Sequence, residues 1–79
     1  MNDITKISEQ LEYLLFKKKI AKSKLAGEIG MTPNNVYNKF KRNSFSIEDL
    51  QKICNDLDCT MEISITINDT GERIYLVGE

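Results

Sequence analysis

The run KSKLAGEIGMTPNNVYNKFKR, residues 22–42, predicts two short helices joined by a tight turn. Leu25, Ala26 and Ile29 recur at the spacing of one helical face. Gly30 follows them, and glycine most readily adopts the left-handed backbone conformation that ends a helix. The first of the two helices is therefore expected to end at Ile29.

A second helix is predicted after the turn, over residues 33–42. Thr32 is a good N-cap, and Pro33 suits the first helical position because its missing N–H would have no partner there. Val36 and Phe40 lie four apart and give this helix an inward face. Two short helices around a glycine turn are typical of the helix-turn-helix motif, whose second helix enters the DNA major groove.

The outward face of the second helix carries polar side chains suited to contacting base edges. The candidate base contacts are Asn34, Asn35, Tyr37 and Asn38. An asparagine amide can pair with adenine through two hydrogen bonds, and a tyrosine can touch a thymine methyl group. Asparagine is a poor helix former, so helix propensity does not explain three of them here. The alternative interpretation is an ordinary solvated helix face.

Cations and small polar residues surround that face and are candidate phosphate contacts. They are Lys22, Thr32, Lys39, Lys41, Arg42, Asn43 and Ser44. Residues 1–44 carry nine Lys or Arg and four Asp or Glu, whereas residues 45–79 carry two and eight. The net charge of −1 therefore conceals a basic half and an acidic half. A protein polarised in this way can be oriented by a polyanion.

A further helix is predicted on each side of the motif. The first, over residues 3–18 with Asn2 or Asp3 as its cap, has an apolar face made of Ile4, Ile7, Leu11, Leu14 and Leu15. Three lysines, residues 17–19, end this helix. They could form a solvated helix end, a phosphate-facing patch, or both. The other helix has Ser46 and Asp49 in the positions of a capping box. Its inward stripe consists of Leu50, Ile53, Cys54 and Leu57.

The C-terminal segment changes to the period of a β-strand. Residues 60–67 alternate polar and apolar side chains, with Met61 and three isoleucines on one face. Residues 68–72 form a turn, and residues 73–77 are rich in β-branched and aromatic side chains. This segment therefore predicts a β-hairpin, which is only marginally stable unless its apolar face is covered.

Residues 20–57 resemble the Xre/Cro-like family of bacterial and phage repressors. The matching positions are Leu25, Ala26, residues 29–32, Val36, residues 46–50 and residues 53–57. The resemblance implies a four-to-five-helix lambda-repressor-like bundle that binds DNA. Three places depart from the family pattern. Many members carry an apolar residue and then Glu late in the second motif helix, where this chain has Lys39 and Phe40. Ala21 stands where many members have a capping Ser or Thr, and Asn43 replaces the usual glycine after the second motif helix, although asparagine also tolerates a left-handed conformation.

Other classes of function find little support. The chain has no histidine, no glycine-rich phosphate loop and no nucleophile with an evident base, so neither an enzyme nor a cofactor site is expected. Cys54 and Cys59 lack the spacing of a zinc site, and we expect a core residue and a free thiol. No apolar run approaches the roughly 20 residues of a membrane span, and no secretory signal precedes the first helix, so a cytoplasmic protein is expected.

The sequence thus predicts a mainly α-helical fold with a small β element. Residues 1–58 would form a helix-turn-helix DNA-binding domain, and residues 59–79 a C-terminal β-hairpin. The favoured function is that of a sequence-specific regulator of double-stranded DNA, most simply a repressor, that forms a homodimer through the 60–77 hairpin. The alternative is an antitoxin-like or other protein-interaction module, in which Glu62, Asp69 and Glu72 of the acidic half bind a basic partner.

Overall fold

The computed structural model describes residues 6–78, and within them the chain forms four helices followed by two antiparallel strands. In chain order they are α1 (Lys6–Lys18), α2 (Lys22–Glu28), α3 (Pro33–Arg42), α4 (Ile47–Asp56), β1 (Ile63–Thr66) and β2 (Arg73–Val77). The prediction of a mainly α-helical fold with a small β element is confirmed. The predicted start of the first helix, with Asn2, Asp3 and Ile4, lies outside the described residues.

The four helices enclose one hydrophobic core. Its buried members are Leu15, Leu25, Ala26, Val36, Phe40, Ile53 and Leu57. Leu25 and Ala26 are both 0% exposed, and the helices that carry the core's centre, α2 and α3, make the most extensive helix–helix contact. Burial of each large aliphatic side chain stabilises the fold by about 1.5–3 kcal/mol. Ala26 is fully buried in this core, and a larger side chain there would overpack it.

The turn between α2 and α3 has the predicted geometry. Gly30 has a φ of 77°, and the N–H of Met31 donates to the carbonyl of Ala26 at 2.8 Å, which closes the end of α2. Thr32 then caps α3, because its hydroxyl accepts a hydrogen bond of 3.2 Å from the N–H of Asn35. Ala21, by contrast, gives α2 no side-chain cap.

The end of α3 and the start of α4 are also defined by their own residues. Asn43 takes the left-handed conformation at the end of α3, with a φ of 54°. The hydroxyl of Ser46 accepts from the N–H of Asp49, and the carboxylate of Asp49 accepts from the N–H of Ser46, both at 3.0 Å. The predicted capping box is therefore present. In the loop between α3 and α4, the ring of Phe45 packs edge-on against the ring of Phe40, with centroids 4.9 Å apart.

The hairpin differs from its prediction in the length of the first strand. Residues 60–67 were expected to be extended throughout, but β1 covers only Ile63–Thr66. Ile67 follows β1 and closes the hairpin loop, because its N–H donates to the carbonyl of Glu72 and its carbonyl accepts from the N–H of Gly71. The pairing register also shifts between Ile63 and Ser64, so that Leu76 is left as the extra residue of a β-bulge.

One face of the hairpin is apolar and open. In the observed register Ile63 pairs with Val77 and Ile65 with Ile74, which puts all four side chains on the same face. Ile65 is 52% and Ile74 44% exposed, because the two strands pack against each other far more than against any described helix. The alternating pattern of the sequence correctly predicted strands, but no helix within residues 6–78 packs extensively against their apolar side.

The cysteines require one correction. Cys54 was expected to be a core residue, but it lies only half-buried at the edge of the core, and Cys59 is half-buried beside it. Burial, helped by the neighbouring Cys59, raises the pKa of the Cys54 thiol, which therefore stays protonated at neutral pH. Both thiols are free, as expected for Cys59.

Candidate nucleic-acid interface

The outward face of α3 is polar and open to solvent. Its exposed members are Asn34, Asn35, Tyr37, Asn38, Lys41 and Arg42. On the opposite side of the same helix, Val36 is 1% and Phe40 7% exposed. This division arises because residues four apart lie on one side of a helix, so that the side chains opposite Val36 and Phe40 face solvent. The structure thus brings the four predicted base contacts together on one exposed surface.

The predicted phosphate contacts fall into two groups. Thr32, Lys41, Arg42 and Ser44 are exposed around the ends of α3. Lys22, Lys39 and Asn43 are only partly exposed, and each has a partner within the protein. Residue type and position in the sequence predict the second group as phosphate contacts, but they do not reveal that each of these side chains has an internal partner.

Lys39 is held by the capping box of α4. Its ammonium lies 2.8 Å from the Asp49 carboxylate, and the two side chains are 28% and 11% exposed. Burial opposes ionisation of this carboxyl, but hydrogen bonds from Lys39 and Ser46 more than offset that cost. The pKa of Asp49 therefore lies below its ordinary value of 3.8. The sequence identified Asp49 as a capping residue, but its partner in α3 was missed.

Lys22 and Asn43 connect α2 and α3 to α1. The ammonium of Lys22 lies 2.6 Å from the Glu12 carboxylate and 4.6 Å from the centre of the Phe40 ring. The side-chain oxygen of Asn43 accepts hydrogen bonds from the N–H and the hydroxyl of Ser8, at 2.9 and 2.8 Å. Asn43 is therefore a structural link between the end of α3 and the first described turn of α1.

A groove between α1 and α3 borders the candidate interface. It has a volume of about 540 Å³ and is lined by Ser8, Glu9, Glu12, Lys22, Tyr37, Phe40, Lys41 and Asn43. Tyr37 and Lys41 thus line the same groove as the carboxylates of Glu9 and Glu12, the second of which is paired with Lys22. The positions of Glu9 and Glu12 in the sequence do not connect them with this surface, because only the packing of α1 on α3 brings them there.

Within the part of the chain that the structure describes, no group of three or more His, Cys, Asp or Glu side chains could hold a metal ion. Within residues 6–78 there is also no helix with the length and apolar character needed to cross a membrane.

The glycine turn, the inward pair of α3 and its exposed polar face together define a helix-turn-helix DNA-binding domain. The model of the Cro/C1-type HTH DNA-binding domain family matches residues 10–62, about two thirds of the chain. The chain belongs to that family, as the resemblance predicted. No curated protein and no solved structure shows a significant match to it. The family match ends immediately before β1, so the hairpin is additional to the matched region.

Proposed function

We propose that this protein is a sequence-specific regulator of transcription that inserts α3 into the major groove and acts as a repressor in the cytoplasm. The observation that carries the proposal is the composition of the exposed face of α3. It presents three asparagines and a tyrosine, followed by two cations on the last turn, on a helix fixed to the core by Val36 and Phe40. These are side chains that contact base edges and phosphates, respectively.

The roles divide by position on α3. Asn34 and Asn38 are one turn apart at the centre of the outward face and would contact base edges, with Asn35 and Tyr37 on either side. Arginine and lysine on the last turn, together with the hydroxyls of Thr32 and Ser44, would fix the helix against the phosphates. Repression would then follow from occupation of the site, which excludes other proteins from the same groove.

We also propose that the regulator is a homodimer. At 1.5 Å per residue, α3 is about 15 Å long and can contact only about four base pairs, which is too few for useful specificity. Proteins with this motif bind two half-sites about one DNA turn apart and so require a two-fold contact. The hairpin is suited to make it, since the apolar face around Ile65 and Ile74 is open and both strands have a free edge.

The alternative, a module whose acidic half binds a basic protein, predicts different behaviour towards DNA. Selection of binding sites from random duplexes tests the proposed function directly. We expect a recurrent sequence with two-fold symmetry, and binding that weakens steeply as salt increases. Failure to enrich any sequence, together with salt-independent or undetectable binding to duplex DNA, would favour the interaction module instead.

A further inference from the structure

We infer that Lys39 is a positioning residue for α3 and that its charge is not among those that contact phosphate. The inference rests on the proposed function, because it presumes that α3 binds DNA. It concerns which of the cations on α3 are available to the duplex. The contact between Lys39 and Asp49 carries the inference, together with the exposure of the neighbouring Lys41 and Arg42.

The Asp49 carboxylate is the centre of a closed hydrogen-bonded arrangement. It is 11% exposed and accepts from the Ser46 N–H at 3.0 Å and from the Lys39 ammonium at 2.8 Å, both to the same oxygen. The hydroxyl of Ser46 in turn accepts from the N–H of Asp49. The anion is therefore neutralised by one cation from α3 and stabilised by the first turn of α4.

Release of Lys39 towards DNA would leave this carboxylate without a cation. Removal of one partner from a buried ion pair is costly because the remaining charge stays desolvated. Lys41 and Arg42 do not carry that cost, since neither forms an ion pair within the described part of the chain and both side chains are exposed. Phosphates should consequently be contacted by Lys41 and Arg42, while Lys39 remains with Asp49.

The pair also sets where α3 lies relative to the rest of the domain. Lys39 connects the side of α3 to the start of α4, and Asn43 connects its end to Ser8 of α1. Together these two contacts join α3 to α4 and to α1. A helix whose side chains must meet base edges benefits from such support, because small changes in its position weaken every contact at once.

The test is the salt dependence of binding to a random-sequence duplex, measured by fluorescence anisotropy at several sodium chloride concentrations. Each phosphate neutralised by the protein contributes about 0.9 to the slope of log affinity against log salt concentration. Lys41→Met, the matched control, should flatten the slope by about that amount. Lys39→Met should leave it at the wild-type value. Asp49→Asn should steepen it by about one phosphate, because Lys39 is released, and the double variant Lys39→Met/Asp49→Asn should restore it.

Two further variants keep the result interpretable. Lys39→Gln retains a hydrogen-bond donor towards Asp49 and replaces the methionine variant if circular dichroism shows that the latter is unfolded. Lys39→Arg retains the ion pair and should match wild type in slope and in melting temperature. A slope that flattens as much for the folded Lys39 variant as for Lys41→Met would overturn the inference. Absence of DNA binding by the wild-type protein would instead refute the proposed function on which it rests.

Discussion

At the scale of single residues, Asp49 shows how one side chain serves two purposes. It closes the capping box of α4 and pairs with Lys39 of α3, so its ionised form is stabilised in the folded state. The pKa of Asp49 is lowered by folding, whereas an unfolded aspartate has a pKa of about 3.9. The unfolded state therefore binds the proton more readily, and the contribution of Asp49 to stability is complete above about pH 4.

We accordingly predict that this contribution is lost as the pH falls below 4, towards the lowered pKa of the folded state. The free energy of unfolding, from urea titrations between pH 7 and pH 2.5, should decrease over this interval more for wild type than for Asp49→Asn. The asparagine variant can still accept from the Ser46 N–H but has no proton to gain. Parallel pH profiles for the two proteins would show that Asp49 does not contribute in this way.

At the scale of elements, we expect different residues of α3 to contact the bases and the phosphates. Asn38→Ala is expected to weaken binding to the selected site by about 1–3 kcal/mol and to leave binding to random duplexes nearly unchanged, because an amide contributes to base recognition and not to counterion release. Affinities for the two duplexes, measured at one salt concentration, check this prediction.

A matched control for this variant lies on another helix. Asn55 is an exposed asparagine of α4, so Asn55→Ala removes the same group away from α3 and should leave both affinities unchanged. If Asn38→Ala reduced the affinities for the selected and the random duplex equally, Asn38 would be acting on the phosphates or on the fold. The assignment of base contacts to this face would then need revision.

At the scale of the whole molecule, the open face of the hairpin predicts a second copy of the chain. Ile65 is 52% exposed, so Ile65→Lys should cost the monomer little stability. In a dimer formed through this face, the same change would bury an unpaired charge at the contact. We therefore expect the variant to be monomeric by sedimentation equilibrium and to lose specific DNA affinity while its helices remain.

Ser64→Lys provides the control for assembly, since Ser64 is the preceding residue of β1, its side chain lies on the opposite face, and it pairs with the uncharged Tyr75. This variant should retain the wild-type mass in solution. A wild-type protein that stays monomeric at high micromolar concentration, both with DNA and without it, would contradict the proposed dimer. Equal disruption by the two lysine variants would show that the strand edge, and not the isoleucine face, makes the contact.

The residues that determine local structure could be identified from the sequence alone. Gly30, Thr32 and Ser46 act through their own backbone and nearest neighbours, so their types suffice to predict a turn and two helix starts. Val36 and Phe40 likewise predict which side of α3 faces the core, because helical geometry places residues four apart on one side. The outward face with its candidate base contacts followed from that orientation.

Contacts between elements were decided only by the tertiary structure. Lys39 and Lys22 look like free cations in the sequence, and their partners Asp49 and Glu12 are ten positions away on other helices. The bond from Ser8 to Asn43 spans thirty-five positions. Local patterns of hydrophobicity and capping do not encode such pairs, since they depend on how whole helices pack. For the same reason the sequence predicted the hairpin but could not show that Ile65 and Ile74 on its apolar face remain about half exposed.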